Sequence, residues 1–147
     1  MLIVRRLMRD ERGQILRHVV TLGIIFAVII LVLVEVGPIL WLRFFSTVEE
    51  ADDLANAAAY QYKTFKSDAD ATTEVVSKMK TMGFSDDEIS QSTLLFLPPG
   101  PVDKTSVRMT VVRYANTLII RHVAALKKLA RVSTTKEVQI SAANEKQ

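Results

Sequence analysis

The sequence predicts an α+β fold on a stalk: a long N-terminal transmembrane helix that continues as an amphipathic helix and packs on a small antiparallel sheet of about three strands, with additional helices. Three observations predict it. From Val19 to Leu42 the chain is almost wholly apolar, broken by a single acid, Glu35. Apolar residues at helical spacing then continue to Phe65, with no Gly or Pro after Pro38. Farther on, three short segments carry the apolar alternation or apolar run of strands.

The apolar run comes first. At 1.5 Å of rise per residue it reaches roughly 36 Å, against a hydrocarbon core of about 30 Å, so it can cross a bilayer. Ordinary signal cleavage is not expected: the unbroken core from Val19 to Val34 is 16 residues, and the first A-x-A pattern, at Ala55 to Ala59, lies well past it. Arg5, Arg6, Arg9, Arg12 and Arg17 precede the span and only Arg43 closely follows it. That bias places the N-terminus in the cytoplasm and the rest outside. The expected organisation is a basic leader over 1–13, a transmembrane helix over 14–45 and an extracytoplasmic α+β domain over 46–147, with 46–66 continuing the first helix. Gly37 and Pro38 mark an expected bend, because proline cannot donate to the Val34 carbonyl and its ring crowds it. Trp41, Phe44 and Phe45 fit an aromatic belt at the outer interface, and Arg17 and His18 fit the inner one.

Beyond the membrane, Val48, Ala51, Ala55, Ala58, Ala59, Tyr62 and Phe65 recur at three- and four-residue spacing. Ala51, Ala55, Ala58 and Ala59 form a close-packing face that lets another element approach. Asp70 to Met82 predicts a second helix with Gly83 at its C-terminal cap. Ser85 followed by Glu88 is a capping-box pattern. Thr93 to Leu97 reads as a strand ended by Pro98-Pro99-Gly100-Pro101. Ser106 to Tyr114 alternates as a second strand. Ala115 to Ala130 predicts an amphipathic helix with Leu118, His122, Ala125 and Leu129 on one stripe, bordered by Ile119 and Leu126. Val132 to Ser141 is the third strand, and Ala142 to Gln147 a frayed polar tail.

Charge is unevenly placed. Residues 46–91 hold ten acids against four lysines, whereas residues 104–136 hold eight bases and no acid. The acidic half can fold onto the basic half or face neighbouring copies. The chain has no cysteine, and His18 and His122 lie far apart. No metal site or cofactor is expected. A catalytic role has no support either: there is no G-x-S-x-G, no Gly-rich phosphate loop and no acid pair with an evident cleft. The basic run lacks the interleaved aromatics of a nucleic-acid surface. Neither nucleic acid nor a small-molecule substrate is an expected partner, and His122 is read as a structural residue.

Arg9-Asp10-Glu11-Arg12-Gly13-Gln14 before a hydrophobic helix resembles the leader junction of TadE-type pseudopilins of the tight-adherence (Tad) pilus, in the type IV pilin group. Glu35-Val36-Gly37 resembles the acid-x-glycine near the far end of that family's helix, and the stretch Ala51 to Ala59 resembles its continuation. The likeness covers residues 9–60. It implies cleavage between Gly13 and Gln14 by a prepilin peptidase and anchoring in the cytoplasmic (inner) membrane. It further implies assembly with other copies or other pilin-like subunits on a pilus assembly platform, reaching the cell surface. Such pilins usually carry a glutamate at the fifth position of the processed chain; counting from Gln14, that position is His18. The departure bears on polymerisation more than on anchoring, and suits a minor or initiating subunit. The competing expectation is an uncleaved single-pass membrane adaptor with an extracytoplasmic interaction domain.

Glu35 is the sharpest single residue, since an acid at the centre of a membrane helix costs about 2.5–3.5 kcal/mol. Its expected role is an intramembrane polar contact, with Arg17 or an amine of another copy as partner. The plain reading is a protonated or partly hydrated glutamate near the Gly37-Pro38 break.

Overall fold

The structure, a computed structural model, describes residues 2–143. A helical rod runs from Leu2 to Phe65 as α1 (Leu2–Trp41), one π-helical turn (Leu42–Ser46) and α2 (Thr47–Phe65). Lys66 ends it in the left-handed region, its amide donating to the Tyr62 carbonyl at 2.8 Å. α1 passes through Gly37 and Pro38 in helical geometry, and the irregular turn falls a few residues later. Thr47 holds that turn: its amide and hydroxyl both donate to the Leu42 carbonyl, and its oxygen lies 2.8 Å from Thr134 Oγ1 on the sheet.

The π turn has a geometric consequence. At about 100° per residue, Glu35 and Leu54 in an unbroken α-helix would point roughly 100° apart around the axis. An i→i+5 turn absorbs one extra residue and returns about that angle. Glu35 and Leu54, both buried, thereby share the side of the rod that faces the head.

The head is built on α2. Ala51, Leu54, Ala55, Ala58 and Ala59 are wholly buried against α3 (Asp68–Thr81) and the sheet. Small side chains there let backbones come close, and Leu54 adds the burial of one large side chain, about 1.5–3 kcal/mol. The close-packing face is therefore occupied within the chain. Ser67 caps α3, accepting from the Asp70 amide at 3.2 Å, and Gly83 leaves it at φ 78°. The expected capping box opens α4 (Asp86–Gln91), with both reciprocal Ser85–Glu88 bonds in place.

β1 (Thr93–Leu97), β2 (Ser106–Tyr114) and β3 (Arg131–Gln139) form an antiparallel sheet in the order β1-β2-β3. Leu94, Phe96, Val107, Met109, Val111, Val132 and Val138 share one face by register and join the core over α2. β1 runs out opposite Thr110, and α4 takes over the exposed edge of β2. Ser92 Oγ accepts the Val112 amide at 3.0 Å and Glu88 Oε1 the Tyr114 amide at 2.8 Å. Blocking an edge in this way removes donors that could pair with another chain.

Two expectations are corrected. Ala115 to Ala130 is not an amphipathic helix but a chain of turns ending in a 3₁₀ turn at Lys127–Ala130. The Ala115 and Thr117 amides go to the Ala130 and Ala115 carbonyls, side chains take the Ile119, Ile120 and Arg121 amides, and the following bonds alternate between i−3 and i−4 carbonyls, so no regular ladder forms. Its apolar stripe also lacks a protein surface, with Leu118 67% and Leu129 61% exposed. Without tertiary packing, a helix of that length has little to hold it. The second correction concerns the tail: Ala143 is buried, and Lys63 Nζ donates to the carbonyls of Ser141 and Ala143. The rest of the expected frayed tail, 144–147, lies outside the described residues.

Candidate functional site at the Glu35 junction

Glu35 is 6% exposed, although the side chains from Arg17 to Val34 before it are all exposed. Its carboxylate accepts two successive backbone amides from the β2–β3 connection, Ile119 N at 2.8 Å on Oε1 and Ile120 N at 3.0 Å on Oε2. This answers how the lone acid of the apolar run is satisfied. Its partner is the chain's own loop, and neither Arg17 nor an amine of a second copy is needed. Amide bonds to an ionised acceptor are worth about 1.5–3 kcal/mol each.

The loop is shaped to present those amides. Ala115 N donates to the Ala130 carbonyl at 2.8 Å, closing the excursion at its base. Thr117, 2% exposed, accepts the Arg121 amide on its hydroxyl at 2.8 Å. Ile119 and Ile120 amides are thereby turned toward α1. The loop covers Glu35 with its backbone, while Leu118, Ile119, Val123, Leu126 and Leu129 stay exposed.

From Glu35 onward the rod is covered on one side only. Gly37, Pro38 and Ile39 are half-buried, while Val36, Leu40, Trp41, Phe44 and Phe45 are exposed, with the Trp41 and Phe45 rings stacked at 5.0 Å. The predicted belt residues thus occupy the uncovered side. Gly37 and Pro38 lie at the start of this half-covered stretch. Nothing stands within 4 Å of a Cβ built on Gly37.

The acidic and basic segments meet inside the head. Arg113 Nη2 lies 2.7 Å from Glu50 Oε1, Arg113 Nη1 lies 3.9 Å from Glu88, and Lys127 lies 3.9 Å from Asp87. The Arg113 guanidinium also donates to the Met82 and Gly83 carbonyls and stacks 3.7 Å from the Phe84 ring centroid. One arginine therefore joins α2, the α3–α4 turn and β2. Burial pushes the Glu88 carboxyl up, but the Ser85 and Tyr114 amides, the Ser85 hydroxyl and Arg113 outweigh it and hold it below the usual glutamate value.

The backbone of Gly13 and Gln14 lies within α1, while the side chains of the leader bases lie outside the described residues. Gln14 is exposed, and its carbonyl accepts from His18 Nδ1 at 2.8 Å, which fixes the proton on that nitrogen. His122 is exposed on the loop rather than packed on an apolar stripe. Sequence reasoning missed the Ile119–Ile120 amide pair, Thr117 and Arg113.

Among the described residues no group of three or more His, Cys, Asp and Glu could hold a metal ion. A shallow, open depression is lined by Tyr62, Lys66, Asp68 and the 100–104 loop, with Lys66 Nζ 3.7 Å from Asp103 Oδ1 across it. One helix among the described residues is long and apolar enough to cross a membrane. Comparison with protein-family models, curated proteins and solved structures finds no match to this chain.

Proposed function

We propose that the chain is a structural, single-span membrane subunit of the pilin-like, TadE-like type, a minor or initiating component of a Tad or type IV pilus or secretion assembly. It acts by association, without chemistry of its own. One observation carries this reading: an apolar helix bare on every side from Arg17 to Val34 is continuous with the buried spine of a small α+β head. Lipid around that helix can be exchanged for the helices of neighbouring subunits. Hydrophobicity alone does not drive helices together in lipid, so packing of the Val, Ile, Leu and Phe side chains would hold them. The arginine bias places the N-terminus in the cytoplasm and the head outside the cytoplasmic membrane.

A second reading is favoured by His18. Its ring nitrogen bonds back to the Gln14 carbonyl, where a processed pilin usually offers a carboxylate to a neighbour's new amine. An uncleaved single-pass adaptor needs no such carboxylate. Intact-mass analysis of the protein extracted from its native membrane separates the two. A chain beginning at Gln14 is expected for the pilin-like subunit. Retention of residues 1–13 overturns that reading and leaves the adaptor.

A further inference from the structure

We propose that the β2–β3 connection, residues 116–130, is a second membrane-contacting element that lies in the outer lipid interface beside the transmembrane helix. This rests on the reading of α1 as a membrane span. Glu35 ties Ile119 and Ile120 to α1 at the end of the stretch Arg17–Val34, in which every described residue is exposed, so the loop is tied where the rod begins to be covered by protein.

In the same connection Leu118, Ile119, Val123, Leu126 and Leu129 are all exposed, between 37% and 67%. In the same stretch stand Arg121, Lys127 and Lys128, followed by Arg131 at the start of β3, and no acid. Lys127 reaches Asp87 and the Tyr114 ring, and Arg121 reaches the Asn116 side chain at 3.5 Å; Lys128 and Arg131 form no ion pair among the described residues.

Exposed apolar side chains interspersed with bases and no acid match the interface of an anionic bilayer. The apolar groups enter the headgroup boundary by about 5–10 Å, and the bases stay at the phosphates. Trp41, Phe44 and Phe45 on the uncovered side of the rod continue the same zone. The surface is thus continuous with the apolar span. With two attachments instead of one, the head is held at a fixed tilt to the membrane, and Glu35 couples the two attachments.

The absence of cysteine makes the test clean. Single substitutions Phe26→Cys, Leu118→Cys, Leu129→Cys and Val102→Cys in the full-length protein carry an environment-sensitive nitrobenzoxadiazole probe. The proteins are reconstituted into phosphatidylcholine vesicles with and without phosphatidylglycerol, and quenching by doxyl-labelled lipid is measured. Val102 is the control, exposed at the opposite end of β2.

Blue-shifted emission and strong quenching are expected at Phe26, Leu118 and Leu129, with none at Val102. Quenching at Leu118 and Leu129 is expected to rise when phosphatidylglycerol is present. Quenching at Phe26 alone, with the loop probes in water, overturns the inference while the span stands. Blue-shifted loop probes that lipid quenchers do not reach mean that protein, such as a second copy, covers the face, and also overturn it. Loop quenching that is equal in both lipids removes the role of the bases. If the Phe26 probe is not quenched, the span reading falls and the inference with it.

Discussion

Between Arg17 and Val34 the helical rod exposes every side chain, whereas between Thr47 and Tyr62 it buries seven. The bare half is the more apolar, rich in Val, Ile, Leu and Phe; the seven buried residues of the other are four alanines with one leucine, one threonine and one tyrosine. In a chain surrounded only by water the assignment would be reversed. Burial here follows the presence of a partner element rather than hydrophobicity. The alanine face meets a sheet and a helix closely, and the bulky half has nothing in its own chain to meet. The boundary between the two environments is Glu35, and the π turn brings their inward faces into phase.

The largest effect should separate the two halves directly. Leu54→Ala is expected to lower the stability of the detergent-solubilised protein by about 2–5 kcal/mol, read from denaturant or thermal unfolding. Leu31→Ala should change it by less than about 0.5 kcal/mol, since that side chain is exposed and packs on no other element of the head. Equal losses would erase the distinction between the halves.

The boundary itself is tested by Glu35→Ala. The Ile119 and Ile120 amides lose their acceptor, and their hydrogen exchange should accelerate roughly tenfold to a hundredfold, the equivalent of about 1.5–3 kcal/mol. Exchange at Val107 and Val111 in the core should stay as it was. Unchanged rates at Ile119 and Ile120 would mean that Glu35 does not hold the loop.

A smaller effect is expected within the head. Arg113→Lys keeps the charge beside Glu50 but loses the planar fork that reaches Glu50, Met82 and Gly83 together. A loss of about 1 kcal/mol is expected in unfolding of the full-length protein.

The smallest is a pH dependence. Glu88 titrates below its ordinary value in the folded protein, so on acidification the unfolded chain takes up this proton first. Its contribution is complete above the unfolded value and is lost as pH falls through the lowered folded value. Unfolding midpoints should therefore fall on the acid side of the glutamate range, and Glu88→Gln should flatten that slope.

Much of the fold was legible because its signals are local. The period-2 pattern of Ser106 to Tyr114, the Ser85–Glu88 spacing and the alanine stripe each specify structure within a few residues. The Glu35 cradle was not legible, because its donors are backbone amides, which every residue carries, from a segment 84 positions away. The segment 115–130 misled for a related reason. Its stripe satisfies helical periodicity, but periodicity assumes a protein core as the partner of the apolar side. Here Glu35 and Thr117 take the Ile119, Ile120 and Arg121 amides, and the apolar side chains remain outside. Arg113 was likewise visible only as one base in a run, not as the residue where α2, α4 and β2 meet.

The central claim is that the rod passes from lipid into protein at Glu35. Single cysteines placed at each position from Val20 to Phe45 in the membrane-embedded protein, probed with a membrane-impermeant maleimide, test it most directly. The account predicts protection of every position through Val34 regardless of its face. Labelling should then resume beyond Glu35 only where a side chain emerges from the headgroups. Labelling that rises and falls with helical period through residues 20–34 would mean that the helix lies on a water-exposed surface, and would contradict the account.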